Sequence, residues 1–497
     1  MKNIKIKFYP VLIAVMLSAS CTKDFLDKVP PTALPAGTAI NSESSMLTAL
    51  AGTYSQLRNA NIYGRTLPVI GDLKGDNTYV TTSNSGRYIT TNNFAFNSSD
   101  ADALGLWQNA YIAIKYANTI INAGALTGTV NTTNVAQYQG EAYAMRALMH
   151  FELVRTFATP YTVDATKAGV PIVLTYNQDA LPARNTVKEV YTQVIADLEK
   201  AYSLCTLYRG SAYLSKYAIR ALEARVYQNM GDWANAKTTA LDVVTNSGWV
   251  MLSPAAYCAP SGSLGTSGAN ATYSPGGYWA NPATQTSTKN ETFFDVASDA
   301  VNNNQFDQIG FIYLTVGSGY GDILGTSELY NLYSATDVRR GLMPNAGVGY
   351  RSGQAGNTYL CYKYPNPGTA TDKDDTKVIR LSDVILILAE AYYNAGDFVN
   401  ANLYLNKVAM QRDPSFTGWA DTGTQVLEDI LTERRKELAF EGSRYWDLLR
   451  LNRSWTKVKN LSPLTTVAVA PGNIGLIFPI PVTETNANPN LAQNPGY

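Results

Sequence analysis

The sequence has very little histidine: His150 is the single imidazole in 497 residues. Histidine-based triads and multi-histidine metal sites are therefore limited to what this one residue could supply. No HExxH, Walker-type or GxSxG motif is present, and these motifs mark the common metalloprotease, nucleotide-binding and serine-hydrolase sites. His150 follows an apolar helical segment, so we expect it to be packed inside the protein, and we expect no cofactor and no metal.

The chain also lacks an excess of either charge, because 39 basic residues balance 39 acidic ones and the net charge is zero. A nucleic-acid or polyanion binder normally carries a strong basic excess. The balance therefore argues against those partners, including nucleic acid, and favours a neutral one. By contrast, the chain is rich in flat amphipathic rings, with 33 Tyr and 7 Trp.

Cysteine is scarce, and apolar runs long enough to cross a membrane are lacking. Apart from Cys21, the cysteines are Cys205, Cys258 and Cys361, an odd number without CxxC spacing, so a disulfide framework is not expected. No stretch after the N-terminal segment approaches 18 apolar residues free of charges and turn residues.

The N-terminus has the features of an export signal. Three lysines precede the short apolar run from Phe8 to Leu17, and the run ends in Leu-Ser-Ala-Ser before Cys21, which resembles a bacterial lipobox. We therefore predict a signal peptide at residues 1–20 and lipidation of Cys21, and two or more acyl chains would give stable anchoring. The alternative is an ordinary secretory signal with an incidental cysteine. The Pro-rich residues 21–40 are predicted to form an extended tether.

Helical patterns dominate the remaining chain, which is interpreted as one mainly α domain from 41 to 497. Trp107, Tyr111 and Ile114 recur at helical spacing after the N-cap candidates Ser98 to Asp100, so they are assigned to the core. Further helices are predicted near 135–157, 186–204, 213–230, 233–246, 377–395, 398–411 and 425–450.

An internal repeat indicates how these helices pair. The segments starting at Ala221 and Leu386 align as helix, Gly-Asp-aromatic turn, helix, with identical residues including Gly231/Gly396 and Asp232/Asp397. This is the tetratricopeptide pattern, in which glycine ends one helix and aspartate caps the next. We predict about four such pairs, interrupted by long irregular insertions with few short strands rather than stacked as a continuous array.

The insertions are the predicted ligand-binding part. Val243 to Thr288 contains no charged residue but several aromatic rings, and two other irregular stretches span Tyr63–Asn97 and Gly341–Asp375. A flat ring can stack on the apolar face of a sugar while polar groups surround its hydroxyl rim. The predicted ligand-binding residues are the rings Tyr273, Tyr278 and Trp279 and the rim partners Asp72, Asp76, Asn77 and Arg87. The alternatives are that the rings fold back onto the body and that the rim residues are ordinary solvated loop residues.

Acidic residues Glu433, Glu437 and Glu441 are spaced four apart in the last predicted helix. Paired carboxylates could hydrolyse glycosides. Basic residues at helical neighbour spacing make ion pairing the preferred interpretation, namely Arg434, Arg435, Lys436, Arg444 and Arg450.

Several segments together resemble the SusD/RagB family of outer-membrane nutrient-uptake lipoproteins, and the likeness spans nearly the whole mature chain. They are the lipoprotein segment from Cys21, the helix from Glu141, the stretch from Thr432 to Arg450, and the chain end from Phe478 to Tyr497. The resemblance implies four tetratricopeptide-like pairs carrying a loop-rich glycan-binding face, and a SusC-type TonB-dependent transporter as partner.

The predicted function is therefore a non-enzymatic, outer-membrane, cell-surface lipoprotein that captures oligosaccharide and delivers it to that transporter. Two alternatives stay open at this point: a surface glycoside hydrolase on a helical scaffold, and a transporter lid that binds peptide or no ligand.

Overall fold

The structure is a computed structural model that describes residues 40–265, 271–280, 290–316, 319–365, 374–461 and 464–497. The predicted signal peptide, Cys21 and all but the last residue of the predicted tether lie outside the described residues. The domain boundaries given above therefore stay predictions.

Helices make up most of the described secondary structure. In chain order they are α1 Glu43–Leu57, α2 Thr66–Leu73, α3 Ile89–Asn92, α4 Ala101–Ile121, α5 Thr132–Phe157, α6 Tyr161–Asp164, α7 Val187–Leu204, α8 Lys216–Met230, α9 Trp233–Asn246, α10 Pro254–Tyr257, α11 Gly277–Ala280, α12 Ile309–Tyr313, α13 Ser327–Tyr330, α14 Leu381–Asn394, α15 Phe398–Arg412, α16 Gln425–Glu437, α17 Arg444–Arg450 and α18 Val482–Ala487. Short 3-10 turns occur at Gln305–Asp307, Val338–Leu342 and Ile474–Leu476.

Eight long helices form four pairs, α1/α4, α5/α7, α8/α9 and α14/α15, as the sequence predicts. Their ends follow from local chemistry. Asp100 accepts hydrogen bonds at the start of α4, and Thr186 with Glu189 forms a capping box on α7. In the two aligned repeats, Gly231 and Gly396 both adopt a positive φ, 71° and 76°, which ends the first helix of each pair.

The pairs form a continuous array in space, which corrects the prediction of an interrupted one. Contacts continue from each pair to the next, through α4 on α5, α7 on α8 and α9 on α14. The long insertion at 247–380 separates α9 from α14 in the sequence, but the two helices pack together. The insertions do not interrupt the packing of the helices, because each helix still buries its apolar stripe against the next one.

Two predicted helix boundaries are wrong. The segment predicted as helix from 377 begins as a strand, and α14 starts only at Leu381. The predicted helix 425–450 is broken into α16 and α17, because Phe440 and Gly442 adopt positive φ values of 65° and 76°. A Cβ on Gly442 would lie 2.5 Å from the Cα of Pro68, so only glycine fits where this turn passes α2.

Strands are few and short, as predicted. They are β1 Thr78–Val80, β2 Thr292–Val296, β3 Ile323–Gly325, β4 Asn345–Val348, β5 Asn357–Tyr359, β6 Thr376–Arg380, β7 Trp455–Leu461 and β8 Leu464–Val469. They form one four-stranded sheet in the order β1-β3-β5-β4 and two antiparallel pairs, β2-β6 and β7-β8. All three lie in the insertions or after α17, so they belong to the parts of the chain outside the four helical pairs.

The core confirms the assignments made for Trp107 and His150. Trp107 is buried beside Phe157, and Tyr111 packs against the core with its hydroxyl donating to the Pro171 carbonyl at 2.9 Å. His150 is buried, its Nδ1 lies 3.1 Å from the Arg146 carbonyl, and its Nε2 accepts from the Val173 N–H at 3.3 Å. None of the helices in the described ranges is long and apolar enough to cross a membrane.

Candidate functional site

The aromatic rings of the uncharged loop are inside the protein. Tyr278 and Trp279 are each only 1% exposed, and with Tyr257, Cys258 and Leu342 they form a small hydrophobic core of their own. The prediction that they form an exposed stacking surface for a sugar is therefore wrong. The alternative considered for them, folding back onto the body, is what the structure has.

Their burial has a physical reason, which is a set of cationic side chains beneath them. The Trp279 ring faces Lys363 Nζ at 4.8 Å and Arg380 at 5.5 Å, and Arg412 lies 3.6 Å from the centroid of Tyr257. Aromatic faces stabilise desolvated cations. A loop without charged residues suits this position, because it excludes water without introducing a competing charge.

Those cations belong to a buried ionic network around the carboxylates of the C-terminal segment. Glu433 pairs with Arg339, Glu437 with Arg380 and Arg412, and Glu441 with Lys363 and Arg380, at distances of 2.5 to 3.1 Å. The prediction that these carboxylates form ion pairs is confirmed, but their closest partners are distant in the sequence and are not neighbours on the same helix. Arg412 and Arg380 lower the pKa of Glu437 well below its usual value against the opposing effect of burial, so Glu437 is a poor proton donor.

Three of the predicted rim residues are structural. Asp72 is fully buried and accepts hydrogen bonds from Asn77 Nδ2 and the Gly442 N–H, both at 2.7 Å. Burial raises the pKa of Asp72 to about 6. Asn77 is also buried and accepts from Arg435 Nε, while Asp76 pairs with Arg444 at 2.7 Å. These residues hold the turn between α16 and α17 in place. The burial of Asp72 and Asn77 contradicts their predicted place at a sugar-binding rim, whereas Asp76 stays partly exposed and its contact with a ligand stays a prediction.

The other two predicted residues have different environments. Tyr273 is half-buried, and its hydroxyl donates to the Gly341 carbonyl at 2.6 Å, so its contact with a ligand stays a prediction. Arg87 remains at the surface with 32% of its side chain exposed, and its guanidinium carbon lies 4.0 Å from the centroid of Tyr320.

A groove of about 620 Å³ lies between α1, α4 and the loop at 299–304. Its walls combine small residues of α1, amide side chains, one aromatic ring and one guanidinium, and the lining residues are Ala49, Gly52, Ser55, Gln56, Arg58, Asn59, Tyr116, Thr119, Val301, Asn302, Asn303 and Asn304. Tyr116 is 40% exposed, and an added Cβ on Gly52 would meet no atom within 4 Å. The groove is therefore open, polar and equipped with an accessible ring.

Hydrogen bonds fix the loop that forms one wall of the groove. The Asp299 carboxylate accepts from the backbone N–H groups of Val301 and Asn302 at 2.7 and 2.6 Å, and Asn303 Nδ2 donates to the Asp299 carbonyl at 2.8 Å. Hydrogen bonds to its carboxylate, first from the Asn302 side chain and then from the N–H groups of Asn302 and Val301, lower the pKa of Asp299. Asn304 donates to the Arg58 carbonyl and so attaches the loop to the end of α1.

The same loop continues to the surface that carries Arg87. Asp307 pairs with Arg65 at 2.5 Å and lies 3.6 Å from Arg87, and the neighbouring Phe306 ring is 55% exposed. The Asn-rich wall of the groove and the Arg87–Tyr320 contact are therefore neighbouring parts of one surface. Rings and hydrogen-bonding groups are accessible along it.

Sequence reasoning missed Tyr116 and the asparagines at 302–304. A signal for Tyr116 was available, because it lies nine residues after Trp107 and therefore on the opposite side of the helix from the core stripe. The Val-Asn-Asn-Asn run at 301–304 was visible as well. However, nothing in the sequence indicates that this loop lies against α1.

Within the described ranges no group of three or more His, Cys, Asp or Glu side chains could hold a metal ion. Cys205, Cys258 and Cys361 are free and buried, and burial raises the pKa of the Cys258 thiol to about 12.

Comparison with known proteins places the chain among its relatives. A family profile described as "Starch-binding associating with outer membrane" matches residues 24–228, and the profile of the SusD family matches residues 222–497. The chain belongs to the SusD/RagB family. The likeness inferred from the motifs is thereby confirmed over both halves of the chain.

Individual SusD/RagB relatives agree with this assignment. "SusD-like protein P2" of Formosa agariphila is 25% identical and is covered over its full length by the full length of this chain. The structure of a putative sugar binding protein from Bacteroides vulgatus has a TM-score of 0.78 at 27% identity, covering 93% of this chain and 100% of that one. A SusD superfamily structure from Bacteroides thetaiotaomicron has a TM-score of 0.77 at 25% identity, covering 91% and 100%.

Proposed function

We propose that this protein is a cell-surface glycan-binding lipoprotein and that it binds oligosaccharide in the groove between α1, α4 and the loop at 299–304. The observation that carries the proposal is the composition of the groove: an accessible Tyr116 ring beside the side chains of Gln56, Asn59 and Asn302. A sugar presents an apolar face to such a ring and hydroxyl groups to such amides.

The size and openness of the groove suit capture and release. A volume of about 620 Å³ lies within the range of small-molecule sites, and a wet, polar site yields only modest net binding energy. A surface protein that passes its cargo on has to release it. The family description mentions starch binding and the Bacteroides vulgatus relative is described as sugar-binding, and both support the same class of ligand.

The proposal includes no catalytic step. The carboxylates that raised the hydrolase alternative, Glu433, Glu437 and Glu441, are buried in ion pairs with arginine and lysine. A glycosidase needs one carboxyl group that is protonated and another that is free, both beside the substrate. None of the described residues that line the groove is an aspartate or a glutamate.

We further propose that Cys21 anchors the protein to the outer membrane through lipid and that a SusC-type TonB-dependent transporter receives the glycan. The support for this part is the family. The α15 helix offers one surface for such a partner, because Val399, Leu403 and Met410 lie on one side of it and are 80%, 51% and 47% exposed.

The test is a binding titration with a matched pair of tyrosine variants. Purified protein is screened on a glycan array, and the best oligosaccharide is titrated by calorimetry into wild type, Tyr116→Ala and Tyr176→Ala. Tyr176 is 48% exposed but is not part of the groove. Tyr116→Ala is expected to weaken binding about ten-fold, and Tyr176→Ala to leave it unchanged.

Recovery of the ligand after the titration tests whether the protein has no catalytic step. Chromatography is expected to return the oligosaccharide intact. Shortened products would support the hydrolase alternative, and absence of binding to every oligosaccharide on the array would reject glycan capture.

A further inference from the structure

Among the described residues that line the groove, Arg58 is the one charged side chain. It follows α1 directly and donates one hydrogen bond, from Nη1 to the Asn302 carbonyl at 3.2 Å. Across the described residues, no carboxylate lies within 4 Å of its guanidinium. Its charge therefore has no ionic partner within that distance, and Asp299 and Asp375 act on it only from farther away.

Other arginines of the same surface differ from Arg58. Arg65 pairs with Asp307 at 2.5 Å, and Arg87 lies 3.6 Å from the same carboxylate. Asp299, in the loop nearest to Arg58, has its carboxylate engaged by the N–H groups of Val301 and Asn302. Among the described residues, none of these acids lies within ion-pair distance of Arg58.

Desolvation makes the unpaired charge of Arg58 more significant. Partial burial lowers the pKa of Arg58 against the weaker opposing effects of Asp299 and Asp375. A guanidinium in such a position gains more from an added anion than a fully hydrated one does. Its planar fork matches two oxygens of a carboxylate or a sulfate.

We propose that the groove takes an oligosaccharide that carries an oxyanion substituent, a uronate carboxylate or a sulfate ester, and that Arg58 binds this group while Tyr116 and the asparagines at 302–304 contact the sugar rings. The inference rests on the proposed function, because it specifies the ligand class of the same site. It also revises the neutral partner indicated by the balanced net charge, since one local cation outweighs a global balance at close range.

The experiment compares charged and uncharged forms of the same glycan. The array carries neutral, uronate-bearing and sulfated oligosaccharides, and each acidic hit is also titrated after carboxyl reduction or desulfation. Wild type is expected to bind the acidic form at least ten-fold more tightly than its neutral counterpart, which corresponds to about 1.4 kcal/mol. The arm that binds, uronate or sulfate, identifies the oxyanion.

Arg58→Gln and Lys188→Gln form a matched pair of charge-removing variants. Lys188 is exposed on α7 and is not part of the groove. Arg58→Gln is expected to remove the preference for the acidic form, because its loss of affinity for the acidic form should be at least ten-fold larger than its loss of affinity for the neutral form. Lys188→Gln should keep the preference, and melting temperatures confirm that both variants are folded.

The outcomes separate this inference from the proposed function. Wild type that binds neutral and acidic forms equally, or Arg58→Gln that weakens both forms equally, overturns the role of Arg58 while glycan capture stands. A protein that binds no oligosaccharide in any arm overturns both.

Discussion

Aromatic residues in this protein divide into two roles that their sequence context does not separate. Trp279 lies in an uncharged loop and is buried over Lys363 and Arg380, whereas Tyr116 lies in a long helix and is exposed to the groove. An aromatic residue in a loop is expected to be exposed only if no desolvated group beneath the loop has to be shielded from water. Here the buried ionic network lies beneath the loop, and aromatic faces stabilise its desolvated cations.

Replacing Trp279 should therefore affect stability and leave binding intact. Trp279→Ala removes a fully buried indole and opens a path for water to the cations beneath it. We expect a loss of about 3 to 5 kcal/mol in the free energy of unfolding, measured by urea denaturation. At a temperature where the variant is folded, its glycan affinity should equal that of wild type. A large loss of affinity with unchanged stability would indicate that Trp279 contacts the glycan, contrary to its buried position.

The single histidine provides a pH-dependent test of burial. Desolvation, with Arg146, lowers the pKa of His150 to about 3. The unfolded chain takes up this proton near pH 6.5 and the folded chain does not, so His150 contributes stability above pH 6.5 that is lost as the pH falls towards 3.

The comparison of wild type with His150→Gln isolates this effect, since the chain contains no other histidine. Between pH 7 and pH 5, the free energy of unfolding of wild type should fall relative to that of the variant by about 2 kcal/mol. Urea unfolding at both pH values measures it. Parallel profiles would mean that His150 is hydrated in the folded protein.

At the scale of elements, the helical pairs were predictable and the turn between α16 and α17 was not. Pairing follows from a 3.6-residue period and from caps such as Asp232 and Gly231, which act within a few residues. The break at Phe440 to Gly442 depends instead on α2, because Pro68 leaves no room for a side chain at Gly442. A constraint set by a segment far away in the sequence leaves no periodic signal.

Gly442 and Gly396 allow steric crowding to be separated from backbone strain. Both have a φ of 76°, but a Cβ on Gly396 would meet nothing within 4 Å, whereas a Cβ on Gly442 would meet Pro68. We expect Gly396→Ala to lower the free energy of unfolding by about 1 to 2 kcal/mol through strain alone. Gly442→Ala should lose about 1 to 3 kcal/mol more from overpacking. Equal losses in urea denaturation would contradict the close approach of the turn to α2.

At the scale of the whole molecule, the sequence predicted the family, the helical class and the existence of about four pairs. It did not predict that insertions leave the array continuous, nor that the accessible ring and amides meet between α1, α4 and the loop at 299–304. Of the predicted site residues, Arg87 is at this surface, while Asp72, Asn77, Tyr278 and Trp279 are buried. A binding surface assembled from segments almost 250 residues apart, such as Arg58 and Asn302, is a product of tertiary structure.

The central claim is that the groove beside α1 is where glycan binds, and filling that groove tests it most directly. Gly52 is exposed on α1, and its missing side chain leaves open space, so Gly52→Phe should occupy the groove without loss of helix stability. Val399→Phe, on exposed α15, is the matched control. Calorimetry with the best oligosaccharide should show at least a ten-fold loss of affinity for Gly52→Phe and none for Val399→Phe. Wild-type affinity in a folded Gly52→Phe protein would place the glycan elsewhere and contradict the account.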